Sequence, residues 1–353
     1  MKALFVTAGM DGGGTERVIA VLANYMVQHG HDVTILMTVG EESVYELDNR
    51  IKLAGIGERT GGRIGKRVER IRKIRRYFRE DKERVILSFG IETNLFSILA
   101  GLLLKNKILV SERNDPNRCS YPAIRNLLYQ FADGFVFQTK AAQQCFGRNI
   151  RKKSVVIANP VKDSLPEPFQ GERRKRISAV GRLEPQKNHK LLISAFAEFY
   201  KTHPDYELFI YGKGELQREL QELAEQSGIS SQVKFPGFAK NVPEQIKADA
   251  MYVLSSDYEG ISNSLMEAMA IGMPVISTDC PIGGSALLIQ SGVSGILTPV
   301  GDTKALTEAM CRIADEPEKA QKMAQRAQEI RETYSTSKIC TQWMEFIGWY
   351  VNI

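Results

Sequence analysis

Four histidines and five cysteines are spread through 353 residues, and neither type clusters. The cysteines (Cys119, Cys145, Cys280, Cys311 and Cys340) are odd in number and form no CxxC pair or Cys/His set. That argues against a disulfide framework or a zinc site and fits a reducing cytosol. No hydrophobic run is long. The longest uncharged one, NLFSILAGLLL between Glu92 and Lys105, is too short to span a bilayer and reads as a buried helix. The opening stretch MKALFVTAGMDGGG has too short an apolar run for a secretory signal, so a cytoplasmic location is expected. Short-period repeats, low-complexity tracts, a GxGxxG fingerprint and a DxD motif are all missing. The third of these makes a dinucleotide cofactor a poor fit.

What the chain does have is length, an uneven charge and a strong strand–helix rhythm. At 353 residues it exceeds the usual span of one hydrophobic core, so two domains are expected. Its net charge of +6 conceals an asymmetry: +10 up to Pro160 and −4 beyond it. Short apolar runs alternate with helical patterns in both halves. KALFVTA, HDVTILMT, RVILSFG, KILVSE, GFVFQT and KKSVVIA come before RISAVG, YELFIYG, QVKFPG, AMYVLSS, MPVISTD and SGILTPV. This is the pattern of two doubly wound α/β domains. The proline-rich, charged stretch Asn159 to Lys175 between them reads as a linker. The expected division is 1–160 and 161–335, with an aromatic-rich helix, 336–353, packing back on the first half. Ligands of open α/β sheets bind beyond the carboxyl ends of the strands, so a cleft between two such ends is expected.

Several strand–helix junctions carry chemistry-bearing residues. Gly12, Gly13 and Gly14 form either a phosphate-approaching loop or a permissive turn with Thr15 as helix N-cap. Arg182 and Lys187, just after Gly181, suit a diphosphate, or are two solvated charges. Gly212-Lys213-Gly214 makes a third strand–glycine–helix junction, and the repetition favours a phosphate-rich ligand. In SSDYEGISNSLMEAMAIGMPVIST, Glu259 and Glu267 stand eight residues apart, too far round a single helix to share one face. A loop carrying Glu259 and a helix starting near Ser262 to Ser264 would let both reach one ligand. Ser264-x-x-Glu267 also fits a capping box. Carboxylates accept from neighbouring sugar hydroxyls, and the amides of Gly260, Ile261, Ser262, Asn263 and Ser264 would face negative charge.

A basic amphipathic helix is expected over Arg63 to Arg84, with eleven basic and four acidic residues and apolar Ile64, Val68, Ile71, Ile74 and Phe78 at helical spacing. It is either an ordinary solvated helix or a surface for anionic lipid headgroups, with Arg67, Arg70, Lys73, Arg75 and Arg76 facing the membrane. Such attraction contributes about 1 kcal/mol per basic residue. Nucleic acid is a poorer partner, since no stacking aromatics interleave the charges.

GGGTERV, GRLEPQKN, YGKGEL, FPGFAKNV and EGISNSLMEAMAIGMPVISTDCP, in that order, resemble a retaining GT-B glycosyltransferase of family 4 over nearly the whole chain. The resemblance implies two Rossmann-like domains facing across a cleft, an acceptor-binding one first and a nucleotide-sugar donor domain second. It implies transfer of a hexose or N-acetylhexosamine from a UDP-sugar, with retention, by front-face attack, without a metal and without a cofactor besides the co-substrate. Arg182 and Lys187 would hold the diphosphate, Glu267 the ribose diol, and Glu259 would lie by the transferred sugar. Gly260 to Ser262 would surround sugar and phosphate, Phe238 would contact the base through its backbone, and Gly13 and Gly14 would close over the phosphates. Two positions depart from the pattern. Arg113, in VSERNDPNR, stands where relatives carry a histidine that binds the transferred sugar, and Leu287 stands where they carry a glutamate. A fixed cation at 113 suits the sugar or an acidic acceptor but moves no proton at neutral pH. The expected setting is assembly of a lipid-linked glycan by a peripheral protein on the inner face of the plasma membrane. The alternatives are a relative with a soluble acceptor such as a sugar phosphate, an NAD-dependent sugar-modifying enzyme, and a non-catalytic nucleotide-sugar-binding protein.

Overall fold

The computed structural model describes residues 1–57 and 62–351, and the final two residues of the expected 336–353 segment lie outside that range. The chain divides into two compact units, Met1–Pro160 with Thr336–Ile353, and Val161–Ser335. Each is built on one parallel sheet.

The first sheet contains β1 (Lys2–Thr7), β2 (Asp32–Met37), β3 (Lys52–Gly55), β4 (Val85–Phe89), β5 (Lys107–Glu112), β6 (Gly134–Phe137) and β7 (Ser154–Val156) in the order β3-β2-β1-β4-β5-β6-β7. The second contains β8 (Arg174–Val180), β9 (Glu207–Tyr211), β10 (Val233–Gly237), β11 (Asp249–Leu254), β12 (Val275–Thr278) and β13 (Ile296–Thr298) in the order β10-β9-β8-β11-β12-β13. Helices cover both faces of such a sheet, so its inner strands must be apolar without interruption. β4, β6, β11 and β12 are accordingly buried at every position. Edge strands are more open, and β3, which pairs only with β2, is half to fully exposed. KLAG has no apolar run, so no sequence pattern announces it.

In both sheets the strand order reverses beside the first strand, between β1 and β4 and between β8 and β11. At such a switch point the connecting loops part on opposite sides and leave a crevice at the carboxyl edge.

The helix Thr336–Gly348 belongs to the first unit. Trp343 is buried with its ring 5.7 Å from that of Phe89, and Phe346 and Tyr350 lie so close to Gly134 that a β-carbon there would come within 2.8 Å of both. Burying Trp343, Phe346 and Ile347 holds the helix in place at roughly 2 kcal/mol per side chain. Past Val161, the proline-rich stretch packs on the second unit: Arg331 donates to the carbonyl of Pro166 and also to that of Ala270 at 2.6 Å. The stretch is therefore anchored at Pro166.

Candidate active site

In the second unit, the loop after β8 and the loop after β11 flank the switch point and are tied together side chain by side chain. The first carries Gly181, Arg182, a single turn Pro185–Lys187, and Asn188, whose backbone is left-handed with φ 43°. Asn188 starts the helix His189–Tyr200 by accepting from the Leu191 amide, and its amide group donates to Asp257 at 2.7 Å. Asparagine tolerates this backbone and offers both a donor and an acceptor there. From the other loop, the Ser255 hydroxyl donates to the Lys187 carbonyl at 2.9 Å, and the Asp257 amide donates to the Gln186 carbonyl at 2.9 Å.

This clasp brings Lys187 and Glu259 together as an ion pair in which both side chains are largely buried. The pair fills the Glu259 carboxylate: Oε1 accepts from Lys187 and from the Ser256 hydroxyl at 2.8 Å, and Oε2 accepts from Gln186 at 3.3 Å. Arg182 does not join them. It is exposed, and its guanidinium donates to Glu184 at 3.1 Å. The loops thus present one exposed cation, paired with Glu184, and one buried cation, paired with Glu259.

Behind them, His189 is buried, and burial together with the charge of Lys187 pulls its imidazole down to about 4. It is neutral at physiological pH.

The helix Asn263–Ala270 begins one residue after Ser262, whose hydroxyl accepts from the Leu265 amide at 3.4 Å. This corrects the expected capping box. Ser264 instead donates to the Val180 carbonyl at 3.2 Å and accepts from Tyr252 at 2.8 Å, fastening the new helix to the end of β8. Glu267 therefore lies in the second turn of the helix and is half-buried. Gly260 and Ile261 are buried in the loop ahead of it, Asn263 is half-buried, and Phe238 follows β10 with 55% of its surface exposed. Leu287 is exposed on the short helix Gly284–Leu288.

Packing by itself requires glycine at two of the loop positions. A β-carbon at Gly212, whose φ is 144°, would sit 1.9 Å from the Gly181 carbonyl oxygen, and one at Gly284 would sit 1.5 Å from that of Gly260. At these positions the loops need glycine to pack against each other, with or without a ligand.

In the first unit, the helix Gly14–Gln28 is capped at Gly13, and not at Thr15. The carboxylate of Glu16 accepts from the amides of Gly12 at 2.8 Å and Gly13 at 2.6 Å. The Gly13 amide expected to face phosphate is thus engaged by the chain's own anion, while Gly14 opens the helix. Arg113 follows β5 and donates to the Asn159 side chain, which also accepts from Gln138 at 2.6 Å.

The basic helix spans Arg63–Glu80. It docks from Glu69 onward, and residues 64–68 are exposed. Ile74 and Phe78 are buried, whereas Ile64 is 78% and Val68 42% exposed. Arg70 and Arg75 are corrected from the outward set. Arg70 is buried with its guanidinium 4.9 Å from the Phe96 ring centroid and near Glu92. Arg75 donates to the carbonyls of Ala100 at 2.6 Å and Leu102 at 2.8 Å, ends that the neighbouring helix leaves unsatisfied. Lys73 pairs with Glu69 within the helix, while Arg67 and Arg76 are exposed.

Gln186, Ser256, Asn188 and Asp257 were not singled out in the sequence. Gln186 and Asn188 flank Lys187, and Ser256 lies three residues before Glu259. Nothing short of the folded loops shows that they are the partners.

Two family models cover most of the chain: Glycosyltransferase Family 4 matches residues 12–165 and Glycosyl transferases group 1 matches residues 162–330. The GalNAc-alpha-(1->4)-GalNAc-alpha-(1->3)-diNAcBac-PP-undecaprenol alpha-1,4-N-acetyl-D-galactosaminyltransferase of Campylobacter jejuni is 25% identical, over 99% of this chain and 98% of its own. The amylovoran biosynthesis glycosyltransferase AmsD of Erwinia amylovora is 22% identical, over 98% and 99%. Among solved structures, Anabaena HepE in complex with UDP and glucose superimposes with a TM-score of 0.84 at 20% identity, covering 99% of both chains. That likeness is one of fold, GT-B.

Proposed function

The chain belongs to the group 1 glycosyltransferases of polysaccharide assembly, and from that premise we propose that it moves a hexose or N-acetylhexosamine from a UDP-sugar to a hydroxyl of a lipid-linked glycan, with retention. The observation that carries this reading is the pair of loops at the β8/β11 switch point, which set Lys187, Glu259 and the exposed Arg182 beside the start of the Glu267 helix. In this reading Arg182 swings from Glu184 to the diphosphate, Lys187 supplies a fixed point charge, and Glu267 holds the ribose diol. Together the two cations neutralise the leaving diphosphate, an electrostatic contribution that needs no metal. Phe238 offers its backbone to the base, and Gly260 to Ser264 surround the sugar and phosphate.

Glu259 acts here chiefly by holding Lys187. Each of its oxygens already accepts hydrogen bonds, and a glycosyl-enzyme intermediate would have to form on a carboxylate whose charge Lys187 already offsets. Front-face attack within an ion pair, with an α-linked product, needs no such step.

The lipid-linked acceptor finds support in the name of the C. jejuni relative, an undecaprenol diphosphate-linked glycan. It finds support too in the first unit's surface. No described helix is long and apolar enough to cross a membrane. The first turns of the helix Arg63–Glu80 expose Ile64 and Val68 beside Arg67, while Ile124, Leu127 and Phe131 are exposed on a segment packed against the same neighbouring helix, Ile91–Gly101. Apolar side chains beside cations suit an anionic bilayer at the inner face of the plasma membrane.

The test is a calorimetric screen of UDP, GDP and ADP and their sugars. Selective binding of one UDP-sugar, weakened in Arg182→Ala and Glu267→Ala, is expected. Binding of no nucleotide would overturn the donor reading. For the membrane, the chain should pellet with vesicles containing anionic lipid and stay in the supernatant with neutral ones.

A further inference from the structure

Of three adjacent strands in the first sheet, β5 is followed at once by Arg113, β6 by Gln138, and β7, three residues further on, by Asn159. These side chains meet at the carboxyl edge, where open α/β sheets bind ligands. Their hydrogen bonding is lopsided. The Asn159 carbonyl oxygen accepts from both Arg113 and Gln138, while the second guanidinium nitrogen of Arg113, Nη1, is buried with no partner. No described carboxylate pairs with Arg113. Glu112, its neighbour in sequence, is turned away and accepts from Tyr129. Burial, with no acidic neighbour to offset it, pulls the guanidinium down to about 9, so it stays charged at neutral pH.

Three other inward-turned arginines of this chain are treated differently. Arg125 donates to the Pro116 carbonyl at 2.6 Å, Arg75 to those of Ala100 and Leu102, and Arg173 to those of Lys247 and Asp249 at 3.0 and 3.1 Å. Each of those guanidiniums serves as a bracket for stray backbone oxygens. Arg113 brackets none, and an unsatisfied charged donor is costly to keep in a fold. A half-buried arginine with one guanidinium nitrogen held by a neutral amide and another without a partner has the donor set of a fork for an oxyanion.

We propose that Arg113, oriented by Asn159 and Gln138, is a specificity-determining residue that receives an anionic group, a carboxylate or a phosphate, carried by a sugar substrate. The inference rests on the glycosyl-transfer reading for the word substrate, but the anion site itself does not.

The full-length chain carrying Arg182→Ala and Lys187→Ala, which removes the donor-loop cations, is titrated with glucose, glucuronate and glucose 6-phosphate at constant ionic strength. At least one acidic sugar should bind on the order of ten- to a hundredfold more tightly than glucose, as one charge-assisted contact supplies. Adding Arg113→Gln should erase the difference, and Arg113→Lys should keep part of it. Preference for glucuronate points to an acidic sugar, and preference for glucose 6-phosphate to a phosphorylated one. The proposal fails if neither acidic sugar outbinds glucose, or if Arg113→Gln, folded by its melting temperature, binds as its parent does. Failure of the wild-type chain to bind any UDP-sugar would sink the transfer reading alone.

Discussion

Replacing Glu259 by glutamine removes one charge and almost no volume, and it isolates the ion pair at the centre of the proposed donor site. The Lys187 side chain is 15% exposed and that of Glu259 9%, so the ammonium left behind has little water to turn to. Removing one partner of a buried pair destabilises by about 3–5 kcal/mol. The residual access of Lys187 places this one at the lower end, about 3 kcal/mol. For a unit the size of residues 161–335, each kcal/mol moves the melting temperature by about 2–4 °C, so Glu259→Gln should melt roughly 6–12 °C below wild type. A Lys187→Met/Glu259→Gln double variant should regain much of that, because no charge is then stranded, giving a coupling of about 2 kcal/mol in the cycle. UDP should raise the melting temperature of Glu259→Gln more than that of wild type, since a diphosphate would return the missing negative charge. The assay is differential scanning calorimetry with and without UDP. A Glu259→Gln protein that melts within a degree of wild type, or a double variant no better than the single, would refute the reasoning.

Arg182→Ala should leave stability within about 0.5 kcal/mol of wild type, since the side chain is exposed, yet weaken UDP binding by on the order of tenfold or more, read by calorimetry. The two units should respond to pH in opposite directions. Burial raises Glu112 from 4.5 to about 7, against a smaller opposing pull from its Tyr129 hydrogen bond. Its contribution to the first unit is present below pH 4.5 and lost as pH rises through 7, about 3 kcal/mol in all, and Glu112→Gln should flatten that slope in urea titrations. His189 is lowered from 6.5 to about 4, so the second unit should lose a similar amount as pH falls through that window. His189→Leu should remove the loss. Trp343→Ala should cost the first unit about 3–5 kcal/mol, seen as an earlier denaturant midpoint, because the ring is fully buried against Phe89.

Much of this molecule follows from order along the chain. Uninterrupted apolar runs such as RVILSFG and AMYVLSS can only be covered on both faces, so the parallel sheets were legible as residue patterns. The spacing of GRLEPQKN and EGISNSLMEAM was likewise enough to name the family, because motif order survives where overall identity has fallen to about a quarter. β3 escaped notice because an exposed edge strand has no need of apolar residues. What the tertiary structure alone decided was which way charges face and whom they meet. Glu259 and Lys187 are 72 residues apart, and only the β8/β11 adjacency makes them a pair. Arg70 and Arg75 look outward in a helical count, but the neighbouring helix, with Phe96 and two unsatisfied carbonyls, turns them in. The Gly13 amide awaited a phosphate until Glu16, one turn on, took it. Periodicity encodes burial, since burial depends on a residue's own polarity. Pairing depends on the position of a second residue, and the fold supplies that.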